Sequence, residues 1–505
     1  MNTIFNECHT TYIRSNTLHV TYVYYFIKER RLNNLNVSSN CKENIQLIHS
    51  HLAIDKSFDI VERPFVVGGR NSVLYFLNGF IKDNIMEEIL KSFFKITPET
   101  MNSYATINDF INNRVSHVSV ESETDLDKII LALLTGQTIM FVEGYPAFVI
   151  LDLRTYPGTD SSKPEKEKTL RGGRDAFIEK LVFNCDFIRR RIRDPKLVME
   201  IHQIGDVSKT DVCLAFIDGV ADPKVHDLIV ESLSKVDIKA LTLGDQSLLD
   251  TMCTKNRLNP LPKVRYTERP DIAAAHIVEG KIIVIVDNSP NVMILPTGVF
   301  DFFQNINDYY FPVFTGNYLR LVRNLVMIAT ILLTPIYLLF INGNIFFPPF
   351  FDFLKPQDYF AVPMLYQLIL LEFAMDVLKL AGLNTPSPLG STMSLIGGLI
   401  LGQYTIKTGW FTSQAILYMA IVTMGDFIQP SIEMNFAVKF ARMILLVLCG
   451  FFGFWGFIGG IIFIFIVMAS TKTIAGDKYF YPLIPFNWNA LKSLLFRVRI
   501  SNKVQ

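Results

Sequence analysis

Between Asn324 and Ser470 the chain carries only five basic residues (Lys355, Lys379, Lys407, Lys439, Arg442) and six acidic ones (Asp352, Asp358, Glu372, Asp376, Asp426, Glu433), against 48 and 47 in the whole sequence. So long a charge-poor stretch matches the solvent of a bilayer core, where a helix of about 20 mainly apolar residues makes one crossing. Candidate spans are Asn324 to Ile341, Tyr359 to Val377, Leu389 to Phe411, Thr412 to Ile428, and Met443 to Ala469. The last is longer than one crossing needs, and Gly450, Gly453, Gly456, Gly459 and Gly460 can break it into two. The reading is four to six spans, with four preferred and one apolar stretch re-entrant or interfacial.

Charge at the flanks sets the orientation. Arg320 and Arg323 precede the first span, and residues 471–505 carry Lys472, Lys478, Lys492, Arg497, Arg499 and Lys503 against Asp477 alone. By the positive-inside rule both flanks stay cytoplasmic, which requires an even number of crossings, and the basic tail belongs beside anionic lipid. The first thirty residues have no clean apolar core, and the six cysteines have neither CxxC nor Cys/His ligand spacing. A cytoplasmic N-terminal half without disulfides or zinc is expected.

Ionisable groups inside a membrane are costly and tend to face a partner, a cavity or water. Glu372 and Asp376 are four residues apart, hence on one helix face; Gln403, Lys407 and Asp426 are the other polar candidates at depth. These five are the candidate ion path, the alternative being that Asp376 and Lys407 cap spans at headgroup level.

The first three hundred residues contain a duplication. LYFLNGFIKDNIMEEILKSF from Leu74 matches LAFIDGVADPKVHDLIVESL from Leu214, 140 residues on, and IMFVEGYPAFVI from Ile139 matches IVIVDNSPNVMI from Ile283, 144 residues on. Each copy reads as a strand, an Asn-Gly or Asp-Gly turn, an amphipathic helix and then a hairpin. Asp222 and Pro223 supply an N-cap and a first helical residue. The expected fold class is an α/β soluble region of two similar subdomains followed by an all-α polytopic membrane domain. Its expected division is an N-terminal extension 1–53, subdomains 54–157 and 201–300, a polar connection 158–200 with a helix over 175–192, a juxtamembrane segment 301–323, the membrane domain 324–470 and the basic tail 471–505.

No catalytic constellation emerges. Walker A, G-x-G-x-x-G, G-x-S-x-G and H-E-x-x-H patterns are absent, so no enzyme, cofactor or metal is expected. Arg189, Arg190, Arg191 and Arg193 form a basic cluster, but without aromatic interleaving it reads as ion pairing within the domain rather than a nucleic-acid site.

Several strings in one order do carry a resemblance. They are Arg171, Arg174 and Asp175 in TLRGGRDAFIEKLVFN, Arg189 to Arg191 in IRRRIRDPKL, Ser208-Lys209-Thr210, Glu268-Arg269-Pro270-Asp271 in YTERPD, Asp308-Tyr309, and Arg320 with Arg323. Together these resemble the A-subunit family of bacterial spore germinant receptors over about residues 55–485. The resemblance implies a nutrient-responsive receptor subunit in the spore inner membrane, working with a transporter-like B subunit and a lipoprotein C subunit. It further implies self-association and an ion-conducting pathway, with those motif residues in structural or assembly roles. The chain departs from the family's acidic pattern after the second span, where Leu380 stands in DVLKLAGLNTPS. A secondary transporter or a non-conducting scaffold is the alternative reading.

Overall fold

The computed structural model describes residues 37–156, 164, 167–252, 259–343, 348–356, 360–384, 398, 402–403 and 405–497. The chain divides between Thr297 and Gly298 into two compact bodies, with residues 259–263 belonging to the second.

The first body holds two five-stranded antiparallel sheets with one strand order. In the first sheet the order is β1 (Ile60–Val67), β2 (Arg70–Leu77), β4 (Thr138–Val142), β5 (Phe148–Leu151) and β3 (Val120–Glu123). In the second it is β6 (Leu197–Ile204), β7 (Thr210–Ile217), β9 (Ile282–Val286), β10 (Val292–Leu295) and β8 (Arg265–Thr267). The registers repeat as well: Leu74 pairs with Met140 and Leu214 with Val284, while Ile139 pairs with Ile150 and Ile283 with Ile294. Helices α1 (Asp83–Phe94), α2 (Ile107–Arg114) and α3 (Leu126–Leu134) serve the first sheet. After the connecting α4 (Leu181–Arg191), helices α5 (Pro223–Ser234), α6 (Asp245–Met252) and α7 (Pro270–Val278) repeat the series.

Strand alternation explains the layering. Leu74, Met140 and Val149 point to α1 and α2, whereas Val73, Tyr75, Ile139 and Phe141 point to α3 and to the helix Cys41–His51. Strands covered on both faces read as near-continuous apolar runs, as β4 and β9 do. The side chain of Asp222 accepts from Lys224 N at the start of α5, with Pro223 at the first helical position.

Two local expectations differ from the structure. The second repeat starts at Leu197 rather than 201, and α4 starts at Leu181 rather than 175. Residues ahead of α4 are irregular instead and are held by their own bonds: Phe177 N donates to Glu268 O at 2.8 Å, and the Asn184 amide takes both backbone groups of Ile178.

The second body is helical. Its main elements are α8 (Val313–Ile341), α9 (Met364–Asn384), α10 (Ser413–Ile428), α11 (Ile432–Ser470) and the short α12 (Trp488–Leu495). Among the described residues two helices are long and apolar enough to cross a membrane, α8 and α11. The span expected over Tyr359 to Val377 appears as α9, whose Glu372, Asp376 and Lys379 lower its apolarity, and α10 has 16 residues. Most of the stretch expected over Leu389 to Phe411 lies outside the described residues. Helix α8 starts eleven residues before Asn324 and absorbs Arg320 and Arg323, which is possible because both are paired (below).

Helix α11 is two helices. Gly453 sits at φ 58°, ψ −137°, a conformation that L residues with a Cβ avoid, and a Cβ on Gly460 would lie 2.6 Å from Leu445 Cδ2. Residues 454–470 thus fold back along 432–452. Met434 and Met468 share one apolar cluster with Met327 midway along α8. Cys449 and Phe457 share another with Leu338 near its end. Helix α8 enters and α11 leaves at the same end of the bundle.

Candidate functional site

The polar centre of the bundle lies between those two apolar clusters. Arg442, with no exposed surface, forks onto Glu372, with Nη2 to Oε2 at 3.1 Å, and its Nη1 reaches Asp426 Oδ1 at 3.3 Å and Thr330 O at 3.2 Å. Lys439, one turn earlier, binds Asp376 and stands 3.9 Å from Glu372, while Lys379 lies 3.8 Å from Asp426. Three carboxylates from α9 and α10 therefore meet three cations, two of them from the first half of α11. A bidentate guanidinium and a backbone acceptor satisfy most of the polarity, which is the condition under which buried ions are tolerated.

The candidates named from sequence divide here. Glu372, Asp376 and Asp426 are drawn together, whereas Gln403 and Lys407 are exposed. The sequence reading did not single out Lys439 and Arg442, although their spacing of three on an apolar helix put two cations on one face. Helix α10 approaches α8 closely at Gly425, where a Cβ would strike Thr330.

A second hub stands at the root of α8. Asp308 is fully buried and takes Arg320 Nε at 3.3 Å and both terminal nitrogens of Arg323, Nη1 at 3.1 Å. Arg320 Nη1 also donates to Leu494 O at 2.9 Å, and Arg497 donates to the Asp308 and Phe311 carbonyls, so the segment after α12 is tied to this root. The guanidiniums of Arg320 and Arg497 lie over the Tyr309 ring at 5.4 and 5.6 Å.

The remaining motif residues join the two repeats of the first body. Arg189 binds Asp59 through Nε at 2.7 Å and Nη2 at 3.1 Å, and Ser57 Oγ donates to Asp59 at 2.6 Å while accepting from Met199 N at 2.9 Å. Arg191 pairs with Asp175, and Arg190 stacks on Tyr156 at 4.7 Å. Asp186, which the sequence reading passed over, is buried beside this hub; burial and then the neighbouring Asp59 charge push its carboxyl up to about 8, against the pull of Arg189.

Arg269 organises the connection. It reaches Asp271 at 2.7 Å, Glu167 O at 3.2 Å, Thr169 Oγ1 at 3.1 Å and Gly173 O at 3.0 Å, with Pro270 opening α7 and the Glu268 carbonyl holding Phe177. Burial raises the Glu167 carboxyl although Arg265 and Arg269 pull it down. Arg171 and Arg174 are exposed; Ser208 and Lys209 are exposed in the β6–β7 turn, Lys209 with φ 44°, and Thr210 opens β7 half-buried. Among the described residues no three His, Cys, Asp or Glu side chains are placed to hold a metal ion.

Two duplicated α/β sheets followed by a helical bundle with a neutral, buried ionic centre define the class of protein. The family described as Bacillus/Clostridium GerA spore germination protein matches residues 47–505, and the chain belongs to that family. The stage V sporulation protein AF of Bacillus subtilis is 32% identical over 463 residues, covering 92% of this chain and 93% of that protein. Spore germination protein KA of the same organism is 26% identical, covering 88% and 82%. The crystal structure of the N-terminal domain of the A subunit of the Bacillus megaterium spore germinant receptor GerK3 aligns with a TM-score of 0.40 at 24% identity, covering 51% of this chain and 95% of that one.

Proposed function

We propose that this chain is the membrane subunit of a nutrient-responsive spore germination receptor, not an enzyme, and that copies assemble into a ligand-gated cation pathway with a B-type and a C-type partner. Membership of the germination family supports the biological setting. The long apolar helices α8 and α11 support insertion in the membrane. Arg320, Arg323 and the basic tail support a cytoplasmic side for the flanks of the bundle, and the common end at which α8 enters and α11 leaves agrees with an even number of crossings. The division into subdomains, connection, juxtamembrane root, membrane domain and tail is part of the same reading.

The observation that carries the mechanism is the centre around Arg442. A cation path through a bilayer needs fixed polar groups at depth, and Glu372, Asp376 and Asp426 supply them. In the structure each is paired inside the chain, so conduction requires that ligand binding weaken those pairs. The same pairing favours a second reading, a non-conducting scaffold or transporter-like subunit in which the centre only locks helices together.

Reconstitution of the receptor complex in liposomes separates the two. Ligand-dependent monovalent cation flux that disappears when this subunit is omitted supports the channel; flux retained without it supports the scaffold.

A further inference from the structure

The hub at the root of α8 holds more positive charge than it balances. Arg320, Arg323 and Arg497 gather there, and among the described residues Asp308 is the one carboxylate that any of them pairs with, so two of the three positive charges are left over. The packing is close: a Cβ on Gly316 of α8 would collide with Asp308 O.

The three guanidiniums are not equally satisfied. Arg323 is fully engaged, with Nε on Phe303 O and both terminal nitrogens on Asp308. Arg320 gives Nε to Asp308 and Nη1 to Leu494 O, but its Nη2 is buried without an acceptor. Arg497 gives Nη1 to the Asp308 and Phe311 carbonyls and forms no ion pair among the described residues. A buried donor without a partner and uncompensated charge beside it are both unfavourable, and an anion relieves both.

The surroundings say which anion. Phe314, Tyr318, Leu321, Leu325 and Ile328 form one exposed apolar stripe along α8, on the helix face opposite Gly316, Arg320 and Arg323. Its first three members stand level with the hub, so the hub lies at the depth where the apolar surface begins. Helix α12 exposes Trp488 and Leu495 while burying Ala490 and Leu491, and its Leu494 carbonyl is the one that Arg320 holds. Aromatic residues at the edge of an apolar surface, with cations beside them, mark the headgroup level of a bilayer.

We propose that the headgroup phosphate of an anionic phospholipid binds between Arg497 and Nη2 of Arg320. Both guanidiniums lie over the Tyr309 ring, which is 45% exposed and turns aside to admit the phosphate, and Phe496, 54% exposed next to Arg497, meets the lipid's apolar part. Guanidinium forks match phosphate oxygens, and anionic lipid is concentrated on the cytoplasmic leaflet. The bound lipid ties α12 to the root of α8. The site rests on the membrane insertion proposed above, and the experiment keeps the two apart.

Thermal midpoints of the full chain in an uncharged detergent are measured as phosphatidylglycerol, phosphatidylcholine or inorganic phosphate is added. Phosphatidylglycerol is expected to raise the midpoint saturably, as a ligand of the folded state does, and the other two to leave it unchanged at the same concentrations. Arg497→Gln is expected to raise the half-effect concentration at least about tenfold. Lys492→Gln removes one exposed charge of α12 and is expected to change it less than about threefold. Should Arg497→Gln fail to fold, Arg497→Lys, which keeps the charge without the fork, is expected to raise it at least about threefold. No rise with phosphatidylglycerol, an unchanged response in the Arg497 variant, or an equal loss in Lys492→Gln overturns the site and leaves membrane insertion standing. An equal rise with phosphatidylcholine or inorganic phosphate overturns anionic lipid as its ligand. A chain that stays in solution without detergent overturns the membrane reading itself.

Discussion

Arg442 and Glu372 meet across 70 residues of sequence, the guanidinium on the first half of α11 forked onto the carboxylate of α9 with neither side chain reaching the surface of the bundle. A buried ion pair of this kind contributes little net stability compared with apolar packing, yet removing one partner strands the other charge, a loss of about 3–5 kcal/mol.

Arg442→Met alone and Glu372→Leu alone are therefore expected to lower the thermal midpoint of the detergent-solubilised chain strongly. The double variant is expected to recover most of that loss. A double variant as unstable as the sum of the singles would mean that the two side chains act independently.

The duplicated turns give a matched comparison. Gly79 and Gly219 have φ 86° and 80°, but a Cβ on Gly79 would collide with the Asp186 carboxylate, whereas on Gly219 it would find only Lys196 Nζ at 3.8 Å. Gly219→Ala carries the left-handed cost alone, about 1 kcal/mol. Gly79→Ala carries that and the displacement of a buried carboxyl, so chemical denaturation is expected to show the larger loss at residue 79; equal losses would contradict the packing described around Asp186.

Asp186 also sets a pH dependence. Its folded-state value, about 8, is above the usual carboxylate value of 3.8, so the folded protein holds a proton that the unfolded chain releases. Its contribution is fully present below about pH 4 and is lost as pH rises toward 8, at roughly 1 kcal/mol per pH unit. Asp186→Asn, which keeps the shape without the ionisation, is expected to flatten the pH profile of stability in that window. An unchanged slope would assign it to another group.

Arg269 holds the residues before α4 by three contacts to residues 167–173. Arg269→Lys keeps the charge but loses the fork, and limited proteolysis is expected to cut within 167–177 several times faster than in the parent chain. A cut rate equal to the parent's would show that the segment is held elsewhere.

Much of this fold was legible because a duplication constrains two segments at once. The offsets of 140 and 144 read from Leu74/Leu214 and Ile139/Ile283 are the offsets of the paired strands, since register in a half-buried sheet is fixed by which residues face inward. Motif strings around Arg189, Arg269 and Asp308 were legible as units, but their partners Asp59, Glu167 and Arg497 lie far along the chain, and one sequence does not show which distant charges meet. The carboxylates Glu372, Asp376 and Asp426 stood out by their rarity. That Lys439 and Arg442 neutralise them did not, because the reversal at Gly453 and the packing of α9 against α11 are tertiary facts.

Flux through the reconstituted receptor carrying Glu372→Gln and Asp426→Asn together with Arg442→Gln, a set that keeps the centre free of unpaired charge on Arg442, tests the central claim most directly. The account predicts that ligand-dependent cation flux falls or loses its selectivity while assembly of the complex is retained. Flux and selectivity equal to those of the parent receptor would remove these residues from the path.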